Sequence, residues 1–219
     1  RSYFFYHNRL HRNYQDDISL HYYLLASKDG ITIGKRYFKH ENNKEDYPFS
    51  PSGHNLYDNN SKLYYCRDFD NIVYQIHEDS VVPRFRINLP NPLPASMIEE
   101  RPNEMSLLRS GYSLGITDIY EYGGLLFFRF VKDGYIWSCL YNVEESKQVY
   151  CAKRIKFLDS SLIDTIDGIY KDCFYSILTP EYLDYAFSEN PLEDYPDLFK
   201  TYDVEGDNPV IAFYRAVVR

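Results

Sequence analysis

The sequence predicts an all-β protein, and three observations carry that prediction. Apolar residues alternate with polar ones over short runs, turn residues punctuate those runs at close intervals, and 24 of the 219 residues are Tyr and 14 are Phe. Alternation with a period of two puts successive side chains on opposite faces of a strand, and Ile, Val, Tyr and Phe fit such a half-buried pleated surface.

The elements follow in order along the chain. SYFFYHNRL (2–10) reads as a strand. SKDG (27–30) is a hairpin turn leading into ITIGKRYF (31–38). HNLYDN (54–59), KLYYCRDF (62–69), NIVYQIH (71–77) and the strand over 82–89 form a second group, with an acidic turn at 78–80 joining the last two. ITDIYEY (116–122), LLFFRFV (125–131), YIWSCLY (135–141) and QVYCAKRI (148–155) form a third, joined by YGG, KDG and EESK, where Gly supplies the positive φ that tight hairpins require. DGIYKD (167–172), CFYSIL (173–178) and NPVIAFYRAVV (208–218) close the series. Helical signals are poor. The best is TPEYLDYAF (179–187), which places Pro at the first helical position after a capping Thr. The segment 91–113 is longer than a strand connection needs and Pro-rich at its start; a functional loop and a small helix against one face are both open readings.

The aromatic pairs at 64–65, 127–128 and 174–175 each enter a strand directly after a polar or Gly turn, 63 and 47 positions apart. The two KDG turns (28–30 and 132–134) lie 104 positions apart, about two such units. Units of this length with four strands each are what a β-propeller repeats, and a β-sandwich is the second choice. On this reading the approximate blades are 1–50, 51–90, 114–158 and 163–219, with 91–113 as an insertion, all within a single propeller domain or the C-terminal part of one.

The run LYYCRDFDNIVYQIHEDSVVPRFRINLP, the SKDGITIGKRYF hairpin and the closing EGDNPVIAFYRAVVR resemble the six-bladed β-propeller proteins of unknown function that Gram-negative anaerobes make as exported lipoproteins. The resemblance covers most of the chain and implies four-stranded antiparallel blades. It also implies export to the periplasm or outer-membrane surface, with a lipid anchor in the full-length precursor. It implies no reaction. Six blades of about 50 residues need over 300 residues, so the chain is expected to hold about three and a half to four of them. The ring is then closed by missing N-terminal blades or by a second copy, because open strand edges invite unwanted pairing.

Charge and composition exclude several functions. A formal net charge of −8 opposes binding to a polyanion, so no nucleic acid is expected. No apolar run approaches the roughly 20 residues of a membrane span; GGLLFFRFV is interrupted by Arg129. Cys66, Cys139, Cys151 and Cys173 show neither CxxC nor His at ligand spacing, so no zinc site is expected. They read first as small apolar core residues. Cys139 and Cys151 fall almost opposite each other across the EESK hairpin, which leaves a disulfide open in an oxidising compartment.

No catalytic set emerges. GYSLG (111–115) matches the nucleophile-elbow pattern, but a strand and turn follow Ser113 where a helix is required, and all six His lie upstream of it. The carboxylate pairs Asp16 and Asp17, Asp68 and Asp70, Glu78 and Asp79, Glu99 and Glu100, Glu144 and Glu145, and Asp164 and Asp167 sit mostly in turns and read as solvated tips. A glycan-active enzyme using two of them is the alternative. DTIDG (164–168) lacks the alternating acids and distal Glu of a calcium loop, so no metal or other cofactor is expected. Arg84 and Arg86 beside Phe85 read as edge protection rather than as an anion stripe.

In a propeller a ligand site sits at the mouth of the central channel, lined by the beginnings of inner strands. Those positions are His54, Tyr57, Asp118, Tyr120 and Asp167. The expected function is therefore a non-enzymatic exported binding or protein-interaction module, associated with outer-membrane nutrient uptake. Its partner is a small ligand such as a glycan or peptide, or another protein.

Overall fold

The structure is a computed structural model and describes residues 3–7, 22–39, 50–52, 54–78, 80–100, 102–153, 155–157, 160–163, 166–189, 202–203, 205–206 and 208–215. Strands β1 (Phe4–His7), β2 (Tyr22–Ser27) and β3 (Ile33–Lys39) form a three-stranded antiparallel sheet in chain order. Strands β4 (Leu56–Asn59), β5 (Lys62–Cys66), β6 (Ile72–Ile76) and β7 (Val81–Arg86) form a four-stranded sheet in the same up-and-down order. Two one-turn helices follow, α1 (Ala95–Glu99) and α2 (Glu104–Leu108).

A second four-stranded sheet contains β8 (Ser113–Tyr122), β9 (Leu125–Lys132), β10 (Tyr135–Asn142) and β11 (Lys147–Ala152). A short hairpin joins β12 (Ile155–Phe157) to β13 (Ser160–Ile163). The last sheet holds β14 (Gly168–Tyr170), β15 (Cys173–Leu178) and β16 (Val210–Tyr214), with helix α3 (Pro180–Glu189) between the last two in sequence.

Tight turns explain the meander. The loops at Asn60 and Ser61, Gly123 and Gly124, and Asp133 and Gly134 each place two consecutive residues at positive φ. That is the type I′ geometry whose twist matches the strands it joins. The hairpin of β6 and β7 closes through the His77 amide donating to the Ser80 carbonyl at 2.8 Å.

Contacts divide the chain into two compact units, one of residues 1–57, 62–118 and 130–134, the other of 58–61, 119–129 and 135–219. In the first, Leu24, Tyr65, Tyr74 and Ile76 form an apolar core against which Phe5, Phe38, Leu56 and Leu63 pack. A second cluster, Leu107, Leu114 and Val131, is covered by Phe69, Leu93 and Tyr112. The insertion at 91–113 thus contains the helix α2, which puts Leu107 into the core. In the second unit, α3 lays Leu183 and Ala186 on Leu178, with Val210 and Ala212 alongside.

Three expectations need correction. The strand expected over 148–155 ends at Ala152, where the chain turns and Lys153 sets its ammonium 3.5 Å from the Tyr135 ring centroid, and Ile155 opens the separate β12. The strand expected over 82–89 is Val81–Arg86. Cys139 and Cys151 are not simply small core residues: they stand directly opposite in the register of β10 and β11 and are joined as a disulfide. No helix among the described residues is long and apolar enough to cross a membrane.

Candidate functional site

The five residues singled out in the sequence fall into two groups, one in each unit. In the first unit His54, Tyr57 and Asp118 come together. His54 lies just before β4 and keeps its side chain 67% exposed, whereas the Asp118 side chain, within β8, is 8% exposed. His54 Nε2 stands 4.0 Å from Asp118 Oδ1. The imidazole also lies across the Tyr57 ring, with centroids 5.7 Å apart.

Tyr57 is itself buried. Its hydroxyl lies within reach of the carbonyls of His54 and Thr117 and 2.9 Å from Ser52 Oγ, which reaches the same two carbonyls. Two hydroxyls therefore serve the same two carbonyls, and they fix the backbone beneath the His54 ring. Tyr57 acts here as a support for His54 rather than as an exposed platform.

In the second unit Tyr120 and Asp167 meet. Tyr120 is buried and its hydroxyl donates to the Asp167 carbonyl at 3.0 Å, while Asp167 Oδ2 accepts from the Ile177 amide at 2.7 Å. Asn59, which was not singled out in the sequence, works like an extra peptide group. Its Nδ2 donates to the Ile119 carbonyl at 3.3 Å and its Oδ1 accepts from the Glu121 amide at 2.6 Å. An Asn inside a strand is a disfavoured choice, and that was the available signal. Ser52 and Thr117 carried none. Thr117 Oγ1 is buried without a hydrogen bond among the described residues, a net cost wherever it occurs.

Other polar side chains that could have formed a catalytic set are engaged structurally. Asp70 Oδ2 accepts from Arg67 Nε at 2.9 Å and Nη2 at 2.6 Å, and its Oδ1 caps the amides of Asn71 and Ile72. Asp68 accepts from Ser50 Oγ at 2.7 Å and Asn55 Nδ2 at 3.0 Å. Ser113, the middle of the elbow-like motif, is buried at the start of β8 and donates to the Pro90 carbonyl. Burial pushes the thiol of Cys66 well above its ordinary range, reinforced by Asp70, Asp118 and Asp68. Asp16, Asp17, Asp79 and Asp164 lie outside the described residues. Among the described residues, His54 over Asp118 sets an exposed imidazole in front of a shielded carboxylate. That pair can donate to or accept from a polar ligand and can hold a cationic group.

Successive up-and-down sheets of four antiparallel strands define the β-propeller class. The chain belongs to the family described as 6-bladed beta-propeller (DUF5128), whose model matches residues 1–161. The chain is also similar to a crystal structure from Bacteroides fragilis NCTC 9343 provisionally described as an exported protein, with a TM-score of 0.70 and 15% identity. The likeness covers 95% of this chain and 61% of that one, so the chain spans about three fifths of that protein's length. At that identity it shows the fold alone. Among curated proteins none matches the sequence.

Proposed function

We propose that this protein is an exported, non-enzymatic binding module that takes a polar ligand, such as a glycan or a peptide, at His54 and Asp118. One observation carries the reading: a carboxylate only 8% exposed stands 4.0 Å behind an imidazole that is 67% exposed. A shielded carboxylate strengthens any hydrogen bond or charge contact made with it, because little water competes. Tyr57 and Ser52 hold the His54 backbone in place.

Export is supported by the description of the similar Bacteroides fragilis protein. It is also supported by the Cys139–Cys151 disulfide, since such bonds persist in oxidising compartments. A location in the periplasm or on the outer-membrane surface, a lipid anchor on the precursor, and work beside a nutrient-uptake complex complete the proposal. So do further blades, or a second copy, completing the six-bladed ring.

The test is calorimetric titration of a panel of neutral glycans and short peptides into the wild type, His54→Ala and Asp118→Asn. Loss of at least about tenfold in affinity in both variants, about 1.4 kcal/mol, with His54→Ala melting like the wild type, is the expected result. A ligand held equally well by all three proteins would remove the site.

A further inference from the structure

A cation lies over an aromatic corner in the second unit. Tyr135 and Trp137 are two apart in β10, so their rings leave the sheet on the same face. Tyr135 is 54% exposed and Trp137 is half-buried. Lys153, exposed just past the end of β11, sets its ammonium 3.5 Å from the Tyr135 ring centroid and 5.8 Å from that of Trp137. Among the described residues no carboxylate lies within ion-pairing distance of that ammonium.

Arg67 shows the contrast. Its guanidinium also lies over two rings, but Asp70 answers its charge within the fold. The Lys153 charge is held at the surface by aromatic faces, where an incoming anion can reach it. The strands keep this corner in shape. Cys139 and Cys151 stand opposite each other and are joined, two positions from Trp137 and two from Lys153. The strand that carries the rings is thus tied to the one that leads into the cation, and little order has to be gained when a ligand arrives.

From this we infer a binding site for a short acidic saccharide at Tyr135, Trp137 and Lys153. A pyranose ring presents C–H groups on its flat face and polar groups around its rim. Exposed Tyr and Trp rings suit the first, and an ammonium suits a carboxylate on the rim. The Lys side chain is long and rotatable, so its ammonium can swing from the ring face to the carboxylate as the sugar takes its place. Lys153, Arg154 and Lys156 put three cations within four positions of the sequence. Such a group acts on a ligand of few charges over about a Debye length, roughly 8 Å at physiological salt. The net charge of −8 repels a long polyanion, which favours a short saccharide over nucleic acid. The site lies wholly in the second unit and is independent of any ligand at His54 and Asp118.

Trp137 is the single Trp of the chain, so its fluorescence reports on this site. The experiment titrates tri-galacturonic acid and sialyllactose, each beside its neutral methyl ester, into the wild type and three variants at low salt. A saturable change in Trp emission is expected with at least one acid, with its ester bound about threefold to fivefold more weakly. Lys153→Gln, melting like the wild type, should remove that preference. Tyr135→Ala should weaken binding of the acid about fivefold or more, and His54→Ala should bind it as the wild type does. No saturable change with either acid overturns the inference, as does equal affinity for acid and ester, or a preference that survives Lys153→Gln. A short oligothymidylate bound more tightly than either acid would assign the corner to single-stranded nucleic acid and overturn it as well.

Discussion

Gly115 and Phe69 meet backbone to backbone. A Cβ placed on Gly115 would stand 2.8 Å from both the Cα and the carbonyl carbon of Phe69, and the next amide, that of Ile116, donates to the Asp70 carbonyl at 3.1 Å. Gly115 also holds φ at +93°. Gly115→Ala should therefore cost about 2–4 kcal/mol, combining overpacking against rigid backbone with an unfavourable φ. Gly123→Ala is the control, because Gly123 also has positive φ but nothing within 4 Å of the new methyl group. It should cost about 1 kcal/mol. Urea denaturation of the two variants decides: equal losses would mean that the contact with Phe69 yields easily.

A second prediction concerns Arg67. Its guanidinium bonds Asp70 through two nitrogens and lies 5.2 Å from the Phe38 ring centroid and 5.9 Å from that of Tyr74. Burial works against the charge of Arg67, but the neighbouring Asp70 carboxylate raises its pKa above the ordinary value. Arg67→Met keeps much of the packing and strands a carboxylate whose side chain is 12% exposed. It should cost about 2–3 kcal/mol. In a double-mutant cycle with Asp70→Asn the two losses should fall short of additivity by at least about 1 kcal/mol. Strict additivity would show that the pair is not coupled.

Much of this fold was legible because strand alternation and turn chemistry are local. NIVYQIH and ITDIYEY declare their periods, and the Gly residues at 123, 124 and 134 mark the hairpins between them. The helix starting at Pro180 was readable for the same reason. The Cys139–Cys151 bond was half legible: register put the two residues opposite, but sequence carries no record of oxidation. The roles of Tyr57 and Tyr120 were not legible. A strand pattern tells which face a ring occupies, whereas whether its hydroxyl meets solvent or a buried carbonyl depends on residues 60 and 47 positions away, Thr117 and Asp167. Asn59 and Ser52 were missed for that reason too, since the backbone groups they bond, those of Ile119 and Glu121 and of Thr117, lie 60 to 65 positions away in the chain.

Acid stability should report on Asp29. Its Oδ1 accepts from the Ile31 amide at 2.9 Å, the Thr32 amide at 2.7 Å and Ser27 Oγ at 2.8 Å. These bonds favour the ionised form and hold its pKa far below the usual 3.8. A carboxyl with a depressed folded pKa contributes stability that is fully present above its unfolded value and is lost as pH falls from there through the folded value. Asp29→Asn should therefore lower the melting temperature slightly at neutral pH and flatten the fall in melting temperature below about pH 4. Parallel curves for wild type and variant from pH 6 to pH 2 would show that the turn around Asp29 adds no pH-dependent stability.

The four cysteines should separate cleanly by reactivity. Cys139 and Cys151 are joined, Cys66 is buried, and Cys173 is half-buried with its Sγ 3.6 Å from Asp172 Oδ1. Only a thiolate attacks a disulfide reagent. Cys66 is protected twice, by exclusion of the reagent and by a thiol pKa that burial and the nearby carboxylates of Asp70, Asp118 and Asp68 push up. Titration with an aromatic disulfide reagent should find one reacting thiol in the native protein, Cys173. It should find two after unfolding in urea without reductant, and four after unfolding with reductant and its removal. Four thiols in unreduced urea would show that the clasp between β10 and β11 does not form. Two in the native state would show that the Cys66 core opens on the timescale of the reaction, and amide exchange across β5 would then have to be equally fast.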